Sequence, residues 1–123
     1  SAGTASYHIG HQPDPRAIAI ASLHGVDITG QSARQLTHHD FYRFRHIIAL
    51  DRANLEGVRA RAPRDGTAQL SLLLDAVEGL QGEPVPDPYH GDVAAFETAW
   101  STINLGVDAW VARLIREGTD LAV

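Results

Sequence analysis

Asp87 stands between two prolines in the run Val85-Pro86-Asp87-Pro88-Tyr89-His90-Gly91-Asp92, with Phe96-Glu97 just beyond. A carboxyl group can give up a proton and take one back. Pro86 and Pro88 restrict the backbone on both sides of it, which helps to aim the side chain. Tyr89 sets an aromatic ring beside it. Pro-Asp-Pro is also ordinary turn chemistry, and on these residues alone the turn is the favoured reading. His38-His39-Asp40 invites a metal reading. Adjacent histidines point to different sides of a helix, which is poor ligand geometry, so a capped and exposed first turn is preferred. Arg34 reads as a structural ion-pair or hydrogen-bonding residue. Arg59, Arg61 and Arg64 read as a solvated helix end rather than a phosphopeptide patch. The chain carries no P-loop of nucleotide type and no Gly-rich dinucleotide fingerprint.

The 123 residues contain no cysteine. That excludes disulfides, thiolate metal sites and cysteine catalysis within these residues. With 44% hydrophobic and 20% charged residues, the chain is ordinary globular material for a single domain over 1–123. The net charge of -5 argues against nucleic acid or an anionic membrane as partner. No stretch is long and apolar enough to span a bilayer, and no signal peptide is legible, so the cytoplasm is the expected location. Every basic residue is Arg, which suits bidentate contacts to phosphate or carboxylate but reads first as a compositional bias. There is no Met, so the expectation is a removed initiator or a start inside a longer protein.

These residues must be positioned by alternating helices and short strands. Asp14 is a plausible N-cap with Pro15 at the first helical position, and the helix runs to a stop at Gly25. Thr37 to Asp40 has the spacing of a capping box, for a short helix carrying Phe41 and Phe44 inward. The run His46-Ile47-Ile48-Ala49-Leu50 predicts a buried parallel strand. Asp51 caps a helix over about 52–62, closed by Pro63. A second strand is expected within 67–74, and 75–91 is a loop rich in Gly and Pro. The last helix starts near Asp92 or Val93 and ends at Gly118. Its stripe Phe96, Trp100, Ile103, Val107, Trp110, Val111 and Leu114 predicts a core-facing helix. The order of elements implies an α/β domain with a parallel sheet. Two strands are a thin supply for this many helices, with Ser1 to Thr4 as the tail of a third. An N-terminal unit is therefore expected to be missing, leaving apolar edges at Ile47, Ile48 and Leu72 and a tendency to self-association.

Several segments in order resemble the low-molecular-weight protein tyrosine phosphatases of bacterial type. They are Ser1-Ala2-Gly3-Thr4, Tyr7, Gly10, Pro13-Asp14, His24-Gly25-Val26-Asp27-Ile28, Ala33-Arg34-Gln35-Leu36, Asp40-Phe41, Ala49-Leu50-Asp51 with Asn54, Asp87-Pro88-Tyr89 with Gly91, and Phe96-Glu97. The resemblance implies a three-layer α/β fold whose four-stranded parallel sheet is flanked by helices. The family's first strand, its Cys-x5-Arg-Ser/Thr loop and its first helix precede the Ser-Ala-Gly-Thr segment and have no counterpart here.

By that resemblance the function is hydrolysis of phosphotyrosine and other aryl phosphomonoesters through a phosphocysteine. The nucleophile would come from the absent segment, with no metal and no cofactor. Asp87 would be the general acid and base. Tyr7 and Tyr89 would flank the substrate ring, and Ser1 and Gln31 would support the phosphate loop. Partners would be phosphotyrosine-containing proteins or small aryl phosphates. An arsenate reductase of the same fold needs further cysteines downstream, which these residues lack. A non-catalytic interaction domain derived from this fold is the alternative from another class.

Overall fold

The computed structural model describes residues 2–4, 9–89 and 91–118. Its centre is a βαβ unit. Strand β1 (His46–Ala49) and strand β2 (Gln69–Leu72) pair in parallel, with His46 opposite Gln69 and Ala49 opposite Leu72. Helix α3 (Arg52–Arg61) connects them. Among the described residues the sheet has these two strands, and Gly3 adds one isolated parallel bridge to Gln35. Alternation along β1 sends neighbouring side chains to opposite faces. Ala49 packs with Leu55 and Leu72 under α3. Ile48 faces the other way, against the cluster of Leu73, Leu74, Val85 and Trp110. Helices thus cover both sides of a short parallel sheet.

Each long helix starts on an aspartate whose carboxylate accepts a backbone N–H of the first turn, relieving an otherwise unpaired donor. Asp14 takes the Arg16 amide at the start of α1 (Pro15–Leu23), Asp51 takes Asn54 at α3, and Asp92 takes Ala95 at α4 (Val93–Arg116). Gly25 follows α1 with φ +79°, a conformation that L side chains resist.

The one-turn helix α2 (Asp40–Arg43) departs from expectation in two ways. Only one arm of the capping box forms. The Asp40 carboxylate accepts from the Thr37 amide at 2.9 Å, while the Thr37 hydroxyl donates to that same carboxylate at 3.3 Å instead of accepting from the Asp40 amide. Phe41 is buried at 1% exposure, but Phe44 is 40% exposed. The helix has ended by Phe44, whose extended backbone (φ -101°, ψ 137°) turns the ring outward beneath Arg43.

The α4 stripe is also only partly internal. Phe96 and Trp110 are buried, Trp100 is half-buried on a cavity wall, and Val107 and Val111 are exposed. Helix α4 crosses a single 3-10 turn, Leu73–Ala76, and packs against α1, so one side of a 24-residue helix exceeds what there is to cover it. Leu72, expected at an apolar edge, is buried at 3% by α3, while Ile47 and Ile48 are half-buried. Among the described residues no helix is long and apolar enough to cross a membrane.

Candidate active site at the carboxyl end of the first strand

In parallel α/β sheets, ligand crevices open beyond the carboxyl ends of the strands. Beyond β1 the Val85 amide donates to the Leu50 carbonyl at 2.8 Å, which draws the proline-rich loop to that end of the sheet. Upstream, Gly82 is clamped from two sides. Its amide donates to Asp75 at 2.8 Å, and its carbonyl accepts from Arg52 at 3.0 and 3.2 Å. The loop therefore arrives at Pro86 already oriented.

The loop rims a cavity of about 720 Å³, within the size range of small-molecule sites. Asp87 lies on its wall with Gln31, Asp51 and Asn54 among mostly apolar neighbours that include Leu50, Phe96 and Trp100. Asp51 is committed to capping α3, accepting the Asn54 amide at 2.7 Å. The Asp87 carboxylate is held by the Tyr89 amide at 2.9 Å, closing a tight turn across Pro88. That bond holds an exposed carboxylate at the edge of a largely apolar space.

The structure brings Asp87 and Gln31 to one cavity. Tyr89 is 61% exposed, and its backbone amide donates to the Asp87 carboxylate. Ser1 and Tyr7 lie outside the described residues. Asp40 and Arg34 lie apart from the cavity, joined by two contacts of 3.0 and 3.1 Å. The Asp40 carboxylate is thus engaged by Arg34 and Thr37 instead of being open to a metal.

A family model described as low molecular weight phosphotyrosine protein phosphatase matches residues 1–120. The chain belongs to this family. YfkJ, a low molecular weight protein-tyrosine-phosphatase of Bacillus subtilis, is 33% identical over 117 residues, covering 95% of this chain and 74% of the relative. Its crystal structure matches with a TM-score of 0.85 at 34% identity, covering 95% of this chain and 72% of that one. Low molecular weight phosphotyrosine protein phosphatase 2 of Drosophila melanogaster is 39% identical over 92 residues, which are 73% of this chain and 54% of the fly protein. A protein tyrosine phosphatase of Entamoeba histolytica matches with a TM-score of 0.85 at 27% identity, over 96% of this chain and 74% of that one. The chain thus spans between about half and three quarters of the length of these relatives.

Two features of this phosphatase-family site are absent from the sequence reading. One is a clamp between α1 and α4. His24 Nε2 lies 2.5 Å from Glu97 Oε1, and the His24 ring stacks on Trp100 with centroids 4.9 Å apart. The other is Arg16, whose guanidinium reaches the carbonyls of Tyr89 and Gly91. A signal for Arg16 was present, because a cation in a first helical turn runs against the helix dipole.

Proposed function

We propose that these residues form the proton-transferring part of a low-molecular-weight protein tyrosine phosphatase, with Asp87 as general acid and then general base. The nucleophile in this reading is a thiolate from a Cys-x5-Arg-Ser/Thr segment lying outside the 123 residues. Its sulfur forms a bond to phosphorus as the phosphorus–aryl oxygen bond breaks. The Asp87 carboxyl gives its proton to the departing oxygen. The resulting carboxylate then takes a proton from water as that water attacks the phosphocysteine, releasing phosphate and the thiolate. Gln31 supports the phosphate-binding segment, as Ser1 does in the family pattern. Tyr7 and Tyr89 flank the aromatic ring of the substrate, a phosphotyrosine side chain or a small aryl phosphate.

The observation that carries the reading is the fixed carboxylate of Asp87 on the wall of a cavity at the carboxyl end of β1, in a chain of this family. The rival is a non-catalytic interaction domain of the same fold.

The first test is the intact mass and N-terminal peptide of the native gene product. A segment containing Cys-x5-Arg-Ser/Thr is expected. In that protein Asp87→Asn should lower kcat/KM on phenyl phosphate, which reports the step in which the aryl oxide leaves, by about a hundredfold or more. The loss on p-nitrophenyl phosphate should be smaller, because that leaving group needs less help from a proton. A native product that lacks the segment and does not turn over p-nitrophenyl phosphate overturns the phosphatase reading.

A further inference from the structure

Arg16 is the second residue of α1. Its charge sits where the helix dipole favours an anion, so the position is not explained by the helix. It is explained by what the guanidinium holds. On its own element it is gripped by Asp14, with Nε 3.2 Å from Oδ1 and Nη2 3.0 Å from Oδ2. Across the molecule, Nη2 donates to the Tyr89 carbonyl at 2.8 Å and Nη1 to the Gly91 carbonyl at 3.2 Å. The group lies over the Phe96 ring, with Cζ 4.5 Å from its centroid, and 5.7 Å from that of Tyr89. One side chain therefore ties the start of α1 to the loop bearing Asp87 and to the first turn of α4. The Tyr89 residue is engaged at both ends. Its carbonyl is held by Arg16, and its amide holds the Asp87 carboxylate at 2.9 Å.

We infer that Arg16 is a positioning residue for Asp87, setting the carboxyl through the Tyr89 backbone. The inference rests on the reading of Asp87 as the proton donor. A planar fork with five donors suits this arrangement of Asp14 and two carbonyls better than the compact point charge of an ammonium group. Asp14 completes the device. It caps α1 through the Arg16 amide at 2.8 Å while orienting the same residue's side chain. The side-chain hydrogen bond from Arg16 and the backbone one hold its carboxyl below the usual carboxylate range. Because Arg16 grips backbone that carries the acid, its loss should weaken the proton-transfer step more than substrate binding.

Two measurements test this. The first uses the native protein and reads hydrogen exchange at the Tyr89 amide in Arg16→Met and Arg16→Lys. Exchange faster by about tenfold in both, with β1 and the middle of α4 unchanged, is the expected result. Unchanged exchange at Tyr89 overturns the inference. If Arg16→Met loses protection throughout, Arg16→Lys decides by the same criterion.

The second uses the native enzyme and a double-mutant cycle with Asp87→Asn. Arg16→Met should lower kcat/KM on phenyl phosphate by about tenfold, with a smaller loss on p-nitrophenyl phosphate. On the Asp87→Asn background it should add nothing further, because residues acting through one group are not additive. Full additivity overturns the inference. If Asp87→Asn loses no more in kcat/KM on phenyl than on p-nitrophenyl phosphate, the acid assignment itself fails, and the exchange measurement still decides whether Arg16 fixes the loop.

Discussion

Asp40 is one of the most constrained carboxylates among the described residues. It is 5% exposed and accepts from Arg34, the Thr37 amide and the Thr37 hydroxyl. These partners, Arg34 foremost, lower its pKa from 3.8 to about 2 against the opposing effect of burial. The stability it contributes is therefore present above the unfolded value of 3.8 and lost as pH falls toward 2. Arg34 is half in solvent, so we expect the loss to be roughly 1–2 kcal/mol. Urea denaturation at pH 7 and near pH 2 measures it, and in Asp40→Asn the contribution should be absent at both. A wild-type acid dependence no steeper than that of Asp40→Asn would sink the assignment. The structural role of Arg34 was legible in the sequence as an ion pair. That of Arg16 was not, because its distant partners are the carbonyls of Tyr89 and Gly91. Every residue carries a carbonyl, so such a partner leaves no signature in residue type.

Helix α4 shows what periodicity can and cannot decide. Its three- and four-residue spacing of apolar residues identified the helix and placed Phe96 and Trp110 inside. Trp110 is fixed further by its Nε1–H, which donates to the Leu73 carbonyl at 2.7 Å. Contact between α4 and the Leu73–Ala76 turn is close because residue 106 is glycine. A Cβ there would lie 2.6 Å from Leu73 Cγ and 3.0 and 3.2 Å from its two methyl carbons. Leu73 is 5% exposed and has little room to withdraw. Gly106→Ala should therefore destabilise by about 1–2 kcal/mol, overpacking outweighing the gain in helix propensity of about 1 kcal/mol. The check is the urea midpoint at constant m-value. A midpoint at or above wild type would show that α4 can shift away from the turn. The exposure of Val107 and Val111 was not legible, because a stripe records which side is apolar and not how much surface exists to meet it.

Across the whole molecule, the βαβ unit and the helices on both faces agree with the family to which the chain belongs. Val107, Val111 and Ile115 follow at four-residue steps along α4 and are 44%, 42% and 62% exposed. An apolar strip of this kind favours association, so sedimentation equilibrium should show a mass rising with concentration, and Val111→Glu should return it toward the monomer. A monomeric wild type at all concentrations would count against it. The sequence by itself determined what depends on neighbours within a few residues. Asp14, Asp51 and Asp92 mark helix starts because a carboxylate reaches the amides of the next turn. The runs 46–50 and 67–74 contain the strands because β-branched and apolar residues suit a covered pleat. The prolines around Asp87 restrict the backbone for the same local reason. Only the tertiary structure decided that Asp87 and Gln31 share a cavity, that α4 stays partly uncovered, and that Arg16 holds the loop 73 residues away. Such contacts form between surfaces brought together by packing, and the pairing depends on shape and backbone atoms that residue identity does not encode.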